Sequence, residues 1–300
     1  MRPSPLAAPT DVARLWRLAD FRELLKPGIA AFVVVMAASS YLLGSDGAIE
    51  WRVLVGLMLG TGLTAGGAGA LNHVAERDHD WKMARTRERP VTAGRVSPLA
   101  ATLYGLGASA LGAVILALTT NPITTGLAIL TIALYVVVYT PLKRRTVHNT
   151  LVGAVPGALP ALGGVTAATG ALDATGWALF AVLYLWQLPH FYALAWMLRD
   201  DYRAGGFAML PNRPRGKRAM ARISLGATLL LMVAAMLPGA LGAAGMVYLV
   251  GAAFLGLAFT IPAFSFNAAP SDERARRLFL ASVFWVPGFF GLVMLDVLLR

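Results

Sequence analysis

The chain has 300 residues, 57% of them hydrophobic and 14% charged, with a mean hydropathy of +0.65. A soluble domain of this size carries more polar surface, so the surplus must face lipid and an integral helical membrane protein is implied. The formal net charge is +11 and cysteine is absent, which excludes disulfides, thiolate metal ligands and a cysteine nucleophile.

The first 26 residues are too charged for the apolar core of a signal peptide. Leu15, Trp16, Leu18, Phe21, Leu24 and Leu25 alternate with Arg14, Arg17 and Arg22, a pattern that predicts a short helix lying at the membrane interface. Residues 1–27 are therefore read as an interfacial segment, and residues 28–300 as one transmembrane domain. Uncharged runs long enough to span a hydrocarbon core fall at 28–45, 53–71, 98–119, 121–140, 150–170, 174–197, 223–242, 244–266 and 278–299. The expected fold is all-α, with nine transmembrane helices. Of the 26 Lys and Arg residues, 24 fall in the N-terminal segment and in the alternate loops after helices 2, 4, 6 and 8. The positive-inside rule makes that side cytoplasmic, with the N-terminus inside and the C-terminus outside. Topology and anionic headgroups thus account for the charge, and no nucleic-acid partner is needed.

Helix 2 ends in "LNHVAERDHDWKMARTRERP" at residues 71–90, with four acidic and five basic residues after a run without charge. Asn72, Glu76 and Asp80 are spaced i, i+4, i+8 and share one helix face, with Asp78 close by. Carboxylate and amide oxygens so crowded suit a hard cation such as Mg2+, and Lys82, Arg85, Arg87 and Arg89 suit phosphate oxygens. On these residues alone, a solvated loop that merely orients the helix is the alternative. A second cluster, Asp200 and Asp201 beside Arg199 and Arg203, follows helix 6 on the same side. Two such clusters can converge on one cavity and hold a diphosphate through two metal ions. A third loop, "YTPLKRRTVHNT", adds Lys143, Arg144 and Arg145 among Tyr139, Thr140, Thr146 and Asn149.

The first block resembles the N-x-x-x-D-x-D-x-D-x-x-M-x-R-T signature of the protohaem IX farnesyltransferases (haem O synthases), a branch of the UbiA-type membrane prenyltransferases. "YTPLKRRTVHNTLVGAVPGALPALGG" and "WQLPHFYALAW…DDYRAGGFAMLP" match two further blocks in order and spacing. The resemblance covers about residues 20 to 295. Two departures stand out: Glu76 where the family has Asp, and adjacent Asp200–Asp201 where the wider superfamily has D-x-x-x-D. The resemblance implies nine helices around a central cavity. It also implies transfer of the farnesyl group of farnesyl diphosphate to a vinyl group of haem B, giving haem O. The resemblance further implies that Mg2+ assists ionisation of the allylic diphosphate. Asn72, Glu76, Asp80 and Asp201 are expected at the metal, with Asp78 and Asp200 in support. Lys143, Lys82, Arg85 and Arg144 are expected at the diphosphate, and Tyr139 and Asn149 at the substrate. The implied setting is multi-pass in a bacterial inner membrane, with the active-site loops cytoplasmic. Haem B, farnesyl diphosphate and lipid are the expected partners, and a haem A synthase or terminal oxidase is the protein partner considered.

Of four histidines, His190 in "WQLPHF" lies within an apolar helix, where an idle imidazole is costly. It is read either as a contact to haem, including its iron, or as a helix-packing hydrogen bond. His73 and His148 adjoin motif residues, and His79 is expected to be solvated. Competing functions are a sister prenyltransferase acting on a 4-hydroxybenzoate- or naphthoate-type acceptor, a transporter or cation channel, and a non-catalytic oxidase assembly factor. The acids sit at one membrane face rather than at mid-depth, which argues against a transporter.

Overall fold

A computed structural model describes residues 17–300 of the chain. Its helices are α1 (Leu18–Leu24), α2 (Pro27–Gly44), α3 (Trp51–Asp80), α4 (Pro98–Thr119), α5 (Pro122–Ala133), α6 (Thr140–Arg145), α7 (Asn149–Thr169), α8 (Ala174–Met197), α9 (Arg199–Ala204), α10 (Gly216–Ala234), α11 (Leu237–Ala240), α12 (Met246–Ala268) and α13 (Asp272–Leu299). No strand occurs among the described residues. Nine helical stretches among them are long and apolar enough to cross a membrane, as the nine apolar runs predicted. The fourth is α5 joined to α6 through a π-helical turn, and the seventh is α10 joined to α11.

Local chemistry sets the helix starts. Pro98 and Pro122 stand in the first turns of α4 and α5, and the Ser97 and Asn121 side chains accept the N–H of Ala100 and Thr124, so fixed φ and a cap act together. Asp173 and Ser271 cap α8 and α13 in the same way. The second helix departs from expectation. The apolar run 53–71 ends well before the helix does, because α3 continues to Asp80 and carries its polar face beyond the apolar zone.

Close packing orients that face. Opposite it, α3 meets α4 through small residues. A Cβ added to Gly60 would stand 2.9 Å from the Gly112 carbonyl oxygen, and one added to Gly112 would stand 2.7 Å from that of Gly60. Only glycine lets the two backbones touch, which is how helices associate where lipid removes the hydrophobic drive. Elsewhere α7, α8, α10, α12 and α13 share a large apolar cluster, with Tyr248, Phe259, Phe266 and Phe289 almost fully buried. A second cluster joins α2, α3 and α7 around Ala37, Tyr41 and Leu57.

The π turn has an identifiable cause. Pro141 has no N–H to donate back along the helix, so the backbone widens just before it. The Thr140 N–H reaches the carbonyl of Tyr135 five residues back, and Thr140 Oγ1 donates to the same carbonyl at 2.8 Å. Part of the expected interfacial helix, Arg14, Leu15 and Trp16, lies outside the described residues. The described part, α1, packs Phe21 and Leu24 against Ala70, Val91, Val96 and Ala101. Arg95 binds it further through Asp20 at 2.7 Å and Glu23 at 3.1 Å.

Candidate active site

The helices enclose a cavity of about 650 Å³. One face of α3 supplies Leu57, Thr61, Thr64, Ala68, Asn72, Glu76 and Asp80 in helical succession, so its lining turns from apolar to acidic along a single stripe. The π turn and α6 bring in Tyr135, Tyr139 and Lys143. Leu127, Ala128 and Thr131 of α5 and Pro156, Pro160 and Gly163 of α7 make an apolar arm. Phe32, Trp186, His190, Phe191, Val283 and Pro287 make an aromatic one. Ile29 on α2 is 62% exposed and Val283 on α13 is 39% exposed, yet both border the cavity. At these two residues the cavity lining is formed by side chains that are not buried.

The polar end is an ion-pair network. Lys26 Nζ donates to Asn72 Oδ1 at 2.6 Å, and Asn72 Nδ2 donates to Thr140 Oγ1 at 3.2 Å. Lys143 Nζ donates to Glu76 Oε1 at 2.7 Å and lies 4.6 Å from the Tyr139 ring centre. Arg89 donates to Asp80 Oδ2 at 2.6 Å and stands 3.9 Å from Glu76 Oε2. Thr86 Oγ1 donates to the Asp80 carbonyl, which closes the end of α3. Three basic side chains face two carboxylates here, so the site has a surplus of positive charge for an anion whenever Lys26 is protonated. Lys26 sits in the left-handed region at φ 48°, between α1 and α2. Burial, reinforced by Arg89, brings its ammonium down to about 7. A strained backbone and a desolvated cation at one residue are both costly, and such costs cluster at functional sites.

The expected residues divide. Asn72, Glu76, Asp80, Lys143, Tyr139 and His190 line the cavity, and Arg85, an exposed residue, stands at its rim. Others lie elsewhere. Asp78 is 80% exposed beside Arg77, and Asp200 is 76% exposed beside Arg203. Asp201 does not line the cavity. Short α9 instead presents Tyr202, because the apolar cluster of Tyr202 with Met83, Phe207 and Met209 fixes which side turns inward. The expected meeting of two acidic clusters is therefore not observed. Among the described residues no group of three or more His, Asp or Glu gathers as a metal-holding set.

Lys82 is exposed and away from the cavity. Arg144 is also exposed and meets His79 Nε2 at 2.9 Å, while His79 Nδ1 meets the Gly205 carbonyl at 2.8 Å. So His79 is not simply solvated; half-buried, it ties the end of α3 to α6 and to the loop after α9. Asn149 is buried, donating through Nδ2 to the carbonyls of Thr146 and Ala208, and so joins α7 to the loop after α9. His148 is exposed. His73 is buried with neither ring nitrogen paired and does not face the cavity. One site residue, Lys26, escaped the sequence reading, and another, Arg89, was not singled out by it. Lys26 precedes a proline at a helix junction, where no periodicity points inward. Arg89 was one of several loop cations, and only its distance from Asp80 along the chain, which lets the loop fold back, distinguishes it.

The donor set fits a hard divalent cation. Asn72 Oδ1, the Glu76 carboxylate and the Asp80 carboxylate all face one cavity, and Asp80 Oδ1 is buried without any partner. An unpaired carboxylate oxygen in a buried site needs a proton or a cation.

A cavity with an acidic–cationic head and long apolar arms, set within a bundle of apolar helices, defines a membrane enzyme for substrates that join an anionic head to a lipid-like body. Residues 31–286 match the UbiA prenyltransferase family. A protohaem IX farnesyltransferase of Salinibacter ruber is 46% identical over 283 residues, 94% of this chain and 99% of the relative. The fold is also that of a digeranylgeranylglyceryl phosphate synthase (TM-score 0.79, 14% identity, 94% of this chain and 99% of the other). A UbiA homologue from Archaeoglobus fulgidus bound to DMAPP and Mg2+ superposes at a TM-score of 0.70, with 16% identity and coverage of 92% and 99%. The chain belongs to the UbiA prenyltransferase family and, within it, to the protohaem IX farnesyltransferases.

Proposed function

We infer that the protein transfers the farnesyl group of farnesyl diphosphate to a vinyl group of haem B, giving haem O. The observation that carries this reading is the cavity itself. Lys26, Arg89 and Lys143 gather around Asn72, Glu76 and Asp80 at one end, and apolar and aromatic walls make up the rest.

The chemistry follows from those groups. The diphosphate binds where the three cations can donate to its oxygens, with charge-assisted geometry that strengthens as the leaving group gains charge. The C1–O bond of the allylic diphosphate breaks, and its electron pair leaves on the diphosphate. The faces of Tyr135 and Tyr139, lining the cavity by Lys143, suit the allylic cation that remains. The haem vinyl group supplies the electron pair for the new C–C bond. Water then adds to the resulting carbocation and loses a proton, leaving the hydroxyethylfarnesyl group. Apolar lining around the tail keeps other water away. Asn72, Glu76 and Asp80 would hold Mg2+ beside the diphosphate. When bound, the metal withdraws charge from the departing diphosphate.

The setting we propose is a bacterial inner membrane, with the face that carries α6, α9 and the loop 81–97 towards the cytoplasm. The side on which the basic residues collect supports that orientation. The test is direct. Purified protein in detergent is incubated with haem B, farnesyl diphosphate and Mg2+, and the haems are analysed by mass. Haem O is the expected product, and its absence with a folded protein would remove this function.

A further inference from the structure

His190 and its neighbour on the same helix, Trp186, both bond to a single residue of α13. One helical turn before it, Trp186 Nε1 donates to the Ser282 carbonyl at 2.9 Å. His190 Nδ1 lies 2.8 Å from Ser282 Oγ, and Ser282 Oγ lies 2.5 Å from the carbonyl of Phe279. Ser282 is fully buried and has one hydroxyl proton. Two oxygens at 2.5 Å repel unless that proton lies between them, so the hydroxyl donates to Phe279. The proton in the other bond must then come from the imidazole. Nδ1 is therefore the protonated nitrogen, and Nε2 keeps a free lone pair.

The ring is also held in plane. Its centroid is 5.0 Å from that of Trp186 at 26°, and 4.9 Å from that of Phe279 at 31°. Among the described residues Nε2 has no hydrogen-bond partner, yet His190 lines the cavity. A role confined to packing α8 against α13 uses Nδ1 alone and leaves the second nitrogen unexplained in an apolar wall. An imidazole whose Nδ1–H is tied to a fixed acceptor, with Nε2 open to a cavity, is the arrangement that proteins use to present a metal ligand.

We propose that His190 Nε2 is the axial ligand that holds the iron of the acceptor porphyrin, with Ser282 as the positioning residue. This rests on the haem reading above and adds to it the point at which the macrocycle is anchored. The anchor lies in the aromatic arm, apart from the cationic head that takes the diphosphate.

The test uses full-length protein in detergent with ferric haem B and no farnesyl diphosphate. The wild type should give an imidazole-ligated Soret band distinct from that of haem in detergent alone. His190→Gln can still donate to Ser282 Oγ, so its Tm should stay near that of the wild type while the band is lost. Haem affinity in that variant should fall by about 10–100-fold. His190→Ala should lose the band too, and free imidazole, filling the space left, should restore it. Ser282→Ala should keep the histidine but weaken haem binding roughly tenfold with an altered band. A wild-type band that persists in His190→Gln and His190→Ala overturns the proposal. So does a band lost in His190→Ala only together with folding and not restored by imidazole. If the wild type makes haem O while its spectrum ignores residue 190, the ligand assignment fails and the function stands. If the wild type neither binds haem nor makes haem O, both fail.

Discussion

At the polar end of the cavity, the carboxylate of Glu76 takes Lys143 on one oxygen and leaves the other about 4 Å from Arg89. Its longer arm, where the family has Asp, delivers the same oxygens from the same helix face. Glu76→Asp should accordingly retain substantial turnover. Glu76→Gln keeps the shape and removes the charge, and should lower kcat by about 10^2–10^3-fold, the scale for loss of one preorganised electrostatic contact. Steady-state haem O formation checks this, and equal behaviour of the two variants would remove residue 76 from the site. Lys26 makes a different prediction. Its buried ammonium, aimed at Asn72, gains most when an anion arrives, so Lys26→Met should raise KM for farnesyl diphosphate by roughly 10–100-fold, the worth of one charged hydrogen bond. KM for haem should stay within about twofold of the wild-type value, as expected when no shared contact is lost. At this scale the sequence was partly legible. The i, i+4, i+8 spacing placed Asn72, Glu76 and Asp80 on one face because helix geometry is periodic. Loop cations have no such period. Lys82, Arg85 and Arg87 could not be told from Arg89, nor Asp201 from Tyr202, until the fold decided which turned inward.

Elements show the same division. Apolar length alone announced the nine spans; Ser97, Asn121 and Asp173 cap helices within about a residue of the expected starts, whereas α13, capped by Ser271, begins six residues before its apolar run. Less legible was how far α3 runs past its apolar stretch, since charge ends a hydrophobic run but not a helix. The π turn before Pro141 was hidden too; a proline signals a break, but the register change that turns Tyr135, Tyr139 and Lys143 inward depends on Thr140 bonding back to Tyr135. α7 offers the element-scale prediction. Gly163 borders the apolar arm, and a Cβ placed there meets nothing within 4 Å. Gly163→Leu should therefore extend into the cavity without strain and shorten the arm. Competition between farnesyl and geranyl diphosphate should shift towards the shorter chain by roughly 10–100-fold, the range for losing or gaining apolar contacts in a pocket. Unchanged preference would place the tail elsewhere.

Across the whole molecule, the orientation proposed from the basic residues can be read chemically, because the chain has no cysteine and each single-cysteine variant is unambiguous. Ala48 and Arg87 are both exposed, in connections on opposite sides of the span α3. In intact cells opened only at the outer membrane, Ala48→Cys should react with an impermeant maleimide, and Arg87→Cys should react only after lysis; the reverse pattern would invert the topology. The exposed lining at Ile29 and Val283 has a kinetic consequence. If both the isoprenoid and the porphyrin arrive through that flank, the enzyme samples them as solutes of a two-dimensional phase, and the variable that governs its rate is their mole fraction in the bilayer. In proteoliposomes, adding inert lipid at fixed bulk substrate should slow turnover in proportion to surface dilution, while adding buffer at a fixed lipid-to-substrate ratio should leave the rate per enzyme unchanged.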